Sequence, residues 1–292
     1  MKRLLIFALI GFAAQLVDGS LGMAYGATSS SLLLMFGVAP AVASGSIHMA
    51  EIATTAASGA SHLYYKNVDK TILMRLTIPG AISAFIGAAF LSSIPGDMIK
   101  PFVSGFLLVL GVYILLRFML VRQASKPGKK ISSKFLLPLG LAGGFFDAVG
   151  GGGWGPITTP MLLARKMEPR KVIGTVDASE FAIAVSATLG FVLFMGWDQF
   201  HWPWVFAFMI SGVLAAPIAA YLVRIIPAYM LGVLVGGFII LTNLRTMLQS
   251  IGVEDGQLLA LIYAVTITLW IAVIVWQVVN RKKFVEAVSV EH

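Results

Sequence analysis

The sequence predicts an all-α polytopic membrane protein. It has two homologous repeats, inverted relative to each other, each made of a broken re-entrant helix pair plus three transmembrane helices, and one extra C-terminal helix. Three observations predict this: the composition, the length of the apolar runs, and an internal repeat that carries acids as well as glycines.

Of the 292 residues, 58% are hydrophobic and 12% charged, against about 25% charged in ordinary soluble domains. Mean hydropathy is +0.90. The charges sit in short gaps between apolar runs of roughly 18 residues or more, enough to cross a ~30 Å hydrocarbon core. The net charge of +8 is carried in loops, as the positive-inside rule expects, so it does not indicate a nucleic-acid partner. There is no cysteine, which excludes disulfides and thiolate metal sites. No other cofactor or metal is expected. Met1-Lys2-Arg3 followed by Leu4 to Ala14 has the form of a signal peptide. This segment has a counterpart later in the chain, however, and is read as part of the mature fold.

Aligned with itself at an offset of 129, the chain sets Gly11 on Gly140, Asp18 on Asp147, Gly22 on Gly151 and Gly26 on Gly155. Pro40 then falls on Pro169, Gly45 on Gly174 and Glu51 on Glu180. After three inserted residues, Gly80 meets Gly212, Ile94-Pro95 meets Ile226-Pro227, and Gly105-Phe106 meets Gly237-Phe238. The expected divisions are a first repeat over 1–120, a basic cytoplasmic linker over 121–134, a second repeat over 135–248, and the extra helix with its basic tail over 249–292. Two-repeat membrane proteins of this size are often transporters.

Each repeat opens on an interrupted segment. Leu4–Val17 is apolar, Asp18-Gly19-Ser20-Leu21-Gly22 interrupts it, and a second short run reaches Phe36. In the second repeat Phe135–Phe146 precedes Asp147-Ala148-Val149 and the four glycines Gly150 to Gly153, and a short run follows to Ala164. Consecutive glycines weaken a helix, so two half-helices meeting at a glycine tip fit better than one span. Full spans are expected near 43–65, 71–92, 98–120, 172–196, 204–223, 228–248 and 258–280. If the broken pairs return to their own side, each repeat crosses three times and the second repeat is inverted. The 117–134 basic run, Lys66, Lys70, Arg165-Lys166, Arg170-Lys171, Arg224 and the C-terminal Arg281-Lys282-Lys283 are then cytoplasmic, with Asp198 and Glu254-Asp255 outside and only Met1-Lys2-Arg3 against the rule. If the broken segments cross fully instead, the 165–171 cluster and the basic tail both fall outside.

Half-helix N-termini present unpaired N–H groups and a positive dipole end, which suits an anion. The candidate binding residues are Gly19, Ser20, Gly22, Gly26, Thr28 and Ser29 in the first repeat. In the second they are Gly150, Gly151, Gly152, Gly153, Gly155 and Thr158. Ser30 and Thr159 offer further hydroxyls. Glycine also serves a tight turn or close packing, and both uses can hold together. Asp18 and Asp147 stand just before the second half-helices, where they can act as N-caps or as proton carriers. His48 with Glu51, and Asp177 with Glu180, share helix faces at a spacing of three. They are candidates for proton coupling or for structural hydrogen bonds. His62 can share a helix face with Ser58 but reads first as interfacial, and Trp197, Trp202 and Trp204 with His201 read as an outer aromatic belt.

The Asp18 to Gly26 stretch and the repeated Asp147 to Pro156 stretch resemble the sulfite exporter TauE/SafE family, also called the toluene sulfonate uptake permease family. The resemblance covers about residues 5–280. It implies a multi-pass cell-membrane transporter of sulfite, sulfonate or sulfoacetate type anions, often exporting and driven by the proton gradient. Many members carry small or hydroxyl residues where this chain has His48, Glu51, Asp177 and Glu180. Expected partners are the anion, protons and the bilayer, with a homodimer left open. The alternatives are an anion channel, a permease served by a separate ATPase, and an intramembrane enzyme using Ser20 or Ser29 with His48. The chain has no G-x-x-x-x-G-K-[ST] nucleotide loop of its own.

Overall fold

The computed structural model describes residues 2–120, 131–222, 228–253 and 255–280. Linker residues 121–130, Arg224, the repeat match at Ile226-Pro227, Glu254 and Arg281-Lys282-Lys283 lie outside the described residues.

The described residues form eleven α-helices. In the first half these are α1 (Lys2–Leu21), α2 (Tyr25–Met35), α3 (Pro40–Tyr64), α4 (Lys70–Ser93) and α5 (Gly96–Leu120). The second half has α6 (Ser133–Gly150), α7 (Trp154–Ala164), α8 (Pro169–Phe194), α9 (Trp202–Leu222) and α10 (Ala228–Ser250), and α11 (Gly256–Val279) follows. Local chemistry fixes several starts. Asp69 caps α4 by accepting from the Thr71 and Ile72 N–H groups, and Asp255 caps α11 in the same way. Pro40 and Pro169 open α3 and α8, where a missing N–H costs nothing.

Five helices are long and apolar enough to cross a membrane: 70–93, 96–119, 170–194, 232–250 and 256–279. The protein is therefore a polytopic helical membrane protein. α3 is as long as these but carries a row of Ser, Thr and Gly together with His48 and Glu51, which lowers its hydropathy.

The two halves interlock. α1 packs along α9 and α6 along α4, so the opening helix of each half lies on the fourth helix of the other. α3 packs on α8 and α5 on α10. Small residues allow these approaches: a Cβ at Gly140 would come within 2.6 Å of the Leu76 carbonyl oxygen, and one at Gly11 within 2.7 Å of Ser211 Oγ. α11 packs on α10, with the Trp270 indole donating to the Val233 carbonyl at 3.0 Å, and touches α5 through buried Gln277, which donates to the Phe118 carbonyl at 3.1 Å; most of its remaining surface is exposed and apolar.

The breaks lie three to four residues later than the sequence suggests. α1 continues through Asp18, Gly19 and Ser20, and the chain turns at Gly22-Met23-Ala24; α6 continues through Gly150 and turns at Gly151-Gly152-Gly153. The cost of one helical glycine, about 1 kcal/mol, is outweighed by burial of this turn. Gly22 (φ 64°) and Gly151 (φ 71°) take left-handed conformations just past the helix ends, where glycine costs least. Ala24, at φ 108°, is strained in the first turn's counterpart of Gly153. With 20 residues, α1 is also longer than the apolar stretch alone suggests.

The ends of each broken segment lie together. Phe7, early in α1, stacks edge-on against Phe36 at 5.3 Å, just past α2. Arg165, just past α7, lies 4.1 Å over the ring of Phe135, early in α6. The Lys171 ammonium donates to the Lys66 carbonyl at 2.6 Å, which joins the basic loops of the two halves.

At the crossing of the two breaks a Cβ on Gly152 would overlap the backbone of Gly26 and Ala27, and Gly152 itself has φ 150°. Gly152→Ala therefore forces backbone apart at the centre of the molecule. The expected loss is about 3 kcal/mol or more, read as a lowered melting temperature of the purified protein in detergent. A melting temperature equal to wild type would contradict this packing.

Candidate functional site

The tips bind one another reciprocally. Ser30 Oγ donates to the Gly151 carbonyl at 2.6 Å, and Thr159 Oγ1 donates to the Gly22 carbonyl at 3.1 Å. At the offset of 129 Ser30 matches Thr159 and Gly22 matches Gly151, so these are the same bond made twice. The glycines follow suit. A Cβ on Gly26 would sit 2.9 Å from the Gly151 oxygen, and one on Gly155 2.6 Å from the Gly22 oxygen.

The acids cap across the turns. Asp147 Oδ1 accepts from the Gly153 N–H at 2.7 Å and the Trp154 N–H at 2.8 Å. Asp18 Oδ1 accepts from the Tyr25 N–H at 3.3 Å. Both acids belong to the last turns of α1 and α6, not to the residues directly before α2 and α7, and reach forward over the break. At the start of α7, donors that the sequence offers to an anion are thus held by the protein's own carboxylate. The residues that follow anchor each second half-helix: Tyr25 donates to the Phe208 carbonyl at 2.9 Å, and Trp154 to Ser179 Oγ at 3.0 Å.

The two capping acids have different neighbours. His48 Nε2 lies 3.0 Å from Asp147 Oδ2, and its Nδ1 lies 2.8 Å from the Ser44 carbonyl. A carbonyl only accepts, so Nδ1 donates, and one proton is shared between Nε2 and Asp147. The pair, completely buried, is neutral overall. Asp18 has acids instead: ligand atoms of Asp18, Asp177 and Glu180 all lie within 4.8 Å of one another. Position 177 is the repeat counterpart of His48. Glu180 Oε2 and both Glu51 oxygens are buried without a hydrogen-bond partner among the described residues, and Asp177 has the Ser58 hydroxyl beside it. Glu51 faces the crossing, since a Cβ on Gly26 would come within 2.7 Å of its Oε1.

The other sequence candidates divide. Thr28 and Ser29 are buried beside the acids' elements with free hydroxyls. Thr158 turns back onto the Trp154 carbonyl of its own helix at 2.6 Å. Gly150 packs under Phe106, and Gly19 is helical and partly exposed. The side chain of Ser20 lies outside the described residues. The sequence reading missed Tyr25 and Trp154 as anchors and His62, which lies 3.6 Å from Asp177. The offset that pairs Tyr25 with Trp154 was the available signal.

This geometry sits within a known family. A profile for the sulfite exporter TauE/SafE family matches residues 7–246. The chain is 53% identical, over 99% of its own length and 98% of the relative's, to the probable membrane transporter protein YtnM of Bacillus subtilis (strain 168). The chain belongs to the sulfite exporter TauE/SafE family of membrane transporters. No solved structure matches it.

The unequal surroundings of the two capping acids predict unequal stability effects. Asp147→Ala leaves two N–H groups and His48 without their partner and should cost about 3–5 kcal/mol. Asp18→Ala removes a single longer bond and an acid from an acid cluster, and should cost about 1 kcal/mol or less. Thermal melts of the two variants in detergent read the difference; equal losses would contradict the asymmetry.

Proposed function

We propose that this protein is a secondary transporter of small sulfur-containing anions of the sulfite, sulfonate or sulfoacetate type, coupled to the proton gradient. The carrying observation is the crossing of the two broken helices among buried acids and free hydroxyls. Thr28 and Ser29 supply unpaired donors there, and the N-terminus of α2, where Asp18 holds only the Tyr25 N–H, supplies a positive dipole end. An anion next to an ionised carboxylate is repelled, by about 4 kcal/mol for unit charges 4 Å apart at an effective dielectric of 20. The centre therefore accepts an anion with protons on its acids, which links the two fluxes. The family description speaks of sulfite export; in this reading the prevailing gradients set the direction.

The halves are proposed to be inverted repeats with re-entrant broken segments. Support comes from the paired ends of each segment, Phe7 with Phe36 and Arg165 with Phe135, and from the swapped packing of α1 on α9 and α6 on α4. The basic loops around Lys66 and Lys171 would face the cytoplasm, as would the C-terminus, with Trp197 and Asp198 outside. Because the chain has no native cysteine, single cysteines test this cleanly. In intact cells an impermeant maleimide should label Asp198→Cys and spare Lys66→Cys and Arg165→Cys. Labelling of either basic-loop cysteine would overturn the arrangement.

Flux in proteoliposomes tests the function. A sulfonate serves best, because it stays ionised and does not cross as a neutral acid. One unit of pH gradient is worth about 1.4 kcal/mol per proton, enough to sustain about a tenfold anion gradient. Uphill movement from the acidic to the alkaline side is expected. A channel without coupling would only equilibrate the sulfonate, and absence of any flux would remove sulfonates from the substrate class.

A further inference from the structure

We infer that His62 is the port through which the buried cluster Asp18–Asp177–Glu180 exchanges protons with the membrane face that carries the basic loops. The inference rests on the proton-coupled reading above and deepens it.

The repeat makes the case. Both imidazoles stand on α3 of the first half, one beside each acid site and at different depths. His48 is completely buried against Asp147, and Phe191 lies 6.0 Å from it, ring to ring. At the offset of 129, Asp177 replaces His48 and His62 replaces Phe191. The sealed site thus has its imidazole inside and a phenyl ring at the outer position. The acid site has a carboxylate inside and an imidazole at the outer position. His62 Nε2 lies 3.6 Å from Asp177 Oδ2, with the side chain of His62 18% exposed and that of Asp177 1%. His62 stands in the last turn of α3, five residues before Asn67, whose Nδ2 lies 3.3 Å from His62 Nδ1 and steadies the ring. Lys66 and Lys171 meet just beyond it.

Within the cluster Glu180 Oε2 lacks a hydrogen-bond partner among the described residues, and Asp177 has, besides His62, the Ser58 hydroxyl of α3 beside it, although both side chains are more than nine-tenths buried. Three ionised carboxylates at this spacing in a membrane interior are untenable without protons or a cation. The surrounding elements offer little neutralisation. α3 brings Glu51, another acid, and His48, which is committed to Asp147 of α6. α2 brings Tyr25, and α7 and α9 carry no Asp, Glu, His, Lys or Arg at all. α4 has only Lys70 and Arg75 in its first two turns, and α10 only Arg245. Among the described residues His62 is the one imidazole that reaches the cluster from a partly exposed position.

The transfer is simple to balance. With the Asn67 amide turned so that its Oδ1, otherwise without a partner, accepts from His62 Nδ1–H, Nε2 carries a lone pair. The Asp177 carboxyl proton passes from Oδ2 to that Nε2, leaving a carboxylate and an imidazolium. The imidazolium then gives its Nδ1 proton to water, the Asn67 amide turns back to donate to Nδ1, and the reverse sequence reloads the cluster. The 3.6 Å gap closes by a small ring movement or one bridging water.

The test separates proton release from substrate handling. His62→Phe, which installs the ring of the sealed half, and His62→Gln are reconstituted with wild type. Two modes are measured: sulfonate exchange at equal pH on both sides, which needs no net proton movement, and net uptake driven by a pH gradient. Both variants should keep exchange within about twofold of wild type and lose at least tenfold in net uptake. Added imidazole should restore part of the net uptake. Wild-type net uptake in the variants overturns the port. Equal loss of both modes, with no imidazole rescue, also overturns it and makes His62 structural. Absence of gradient-driven uptake in wild type itself would instead fail the underlying transport reading.

Discussion

The structure depends on one contact made twice: the glycine tip of each broken helix accepts a hydroxyl hydrogen bond from the other. Ser30 to Gly151 and Thr159 to Gly22 tie the breaks together at the centre. A polypeptide turn in a membrane interior leaves backbone groups that no lipid can satisfy. Here the carbonyls are satisfied across the crossing and the N–H groups by Asp18 and Asp147. The backbone of the two turns is thus satisfied because each half supplies what the other lacks.

The frame is duplicated and its charge is not. Backbone contacts, caps and anchors recur at matching positions, while the residues facing the caps have diverged into a neutral His48–Asp147 pair and a cluster of acids. A transporter needs parts that hold still and parts whose charge changes. A self-neutral buried pair resists change, because breaking it strands a charge. In the proposed mechanism the cluster of acids beside a partly exposed imidazole is the part that loads and unloads protons. Duplication followed by divergence at single positions, His48 against Asp177 and His62 against Phe191, is sufficient to produce both from one scaffold.

Much of this was legible in the sequence. Long apolar runs located α3 to α5 and α8 to α11 within a few residues, because span length is set by bilayer thickness. The offset of 129 found the acids and glycines of the site. The exact turns were not legible: Gly19 and Gly150 read as breakers but stay helical, since tertiary burial outweighs glycine's propensity. Nor did the sequence reveal that Asp147 already occupies donors at α7, because a cap reaching across six residues depends on the shape of the break. His62 read as interfacial for want of its partner, which lies on another helix and in the other half.

The crossing of the tips is tested most directly by removing the two hydroxyls that tie it. Ser30→Ala and Thr159→Ala each leave a buried tip carbonyl without its partner, at a cost of about 1–3 kcal/mol apiece. The account predicts that each alanine variant lowers the melting temperature of the purified protein in detergent, and that Thr159→Ser, which keeps the hydroxyl, loses less. Alanine variants that melt with the wild type would contradict the crossing on which the site is built.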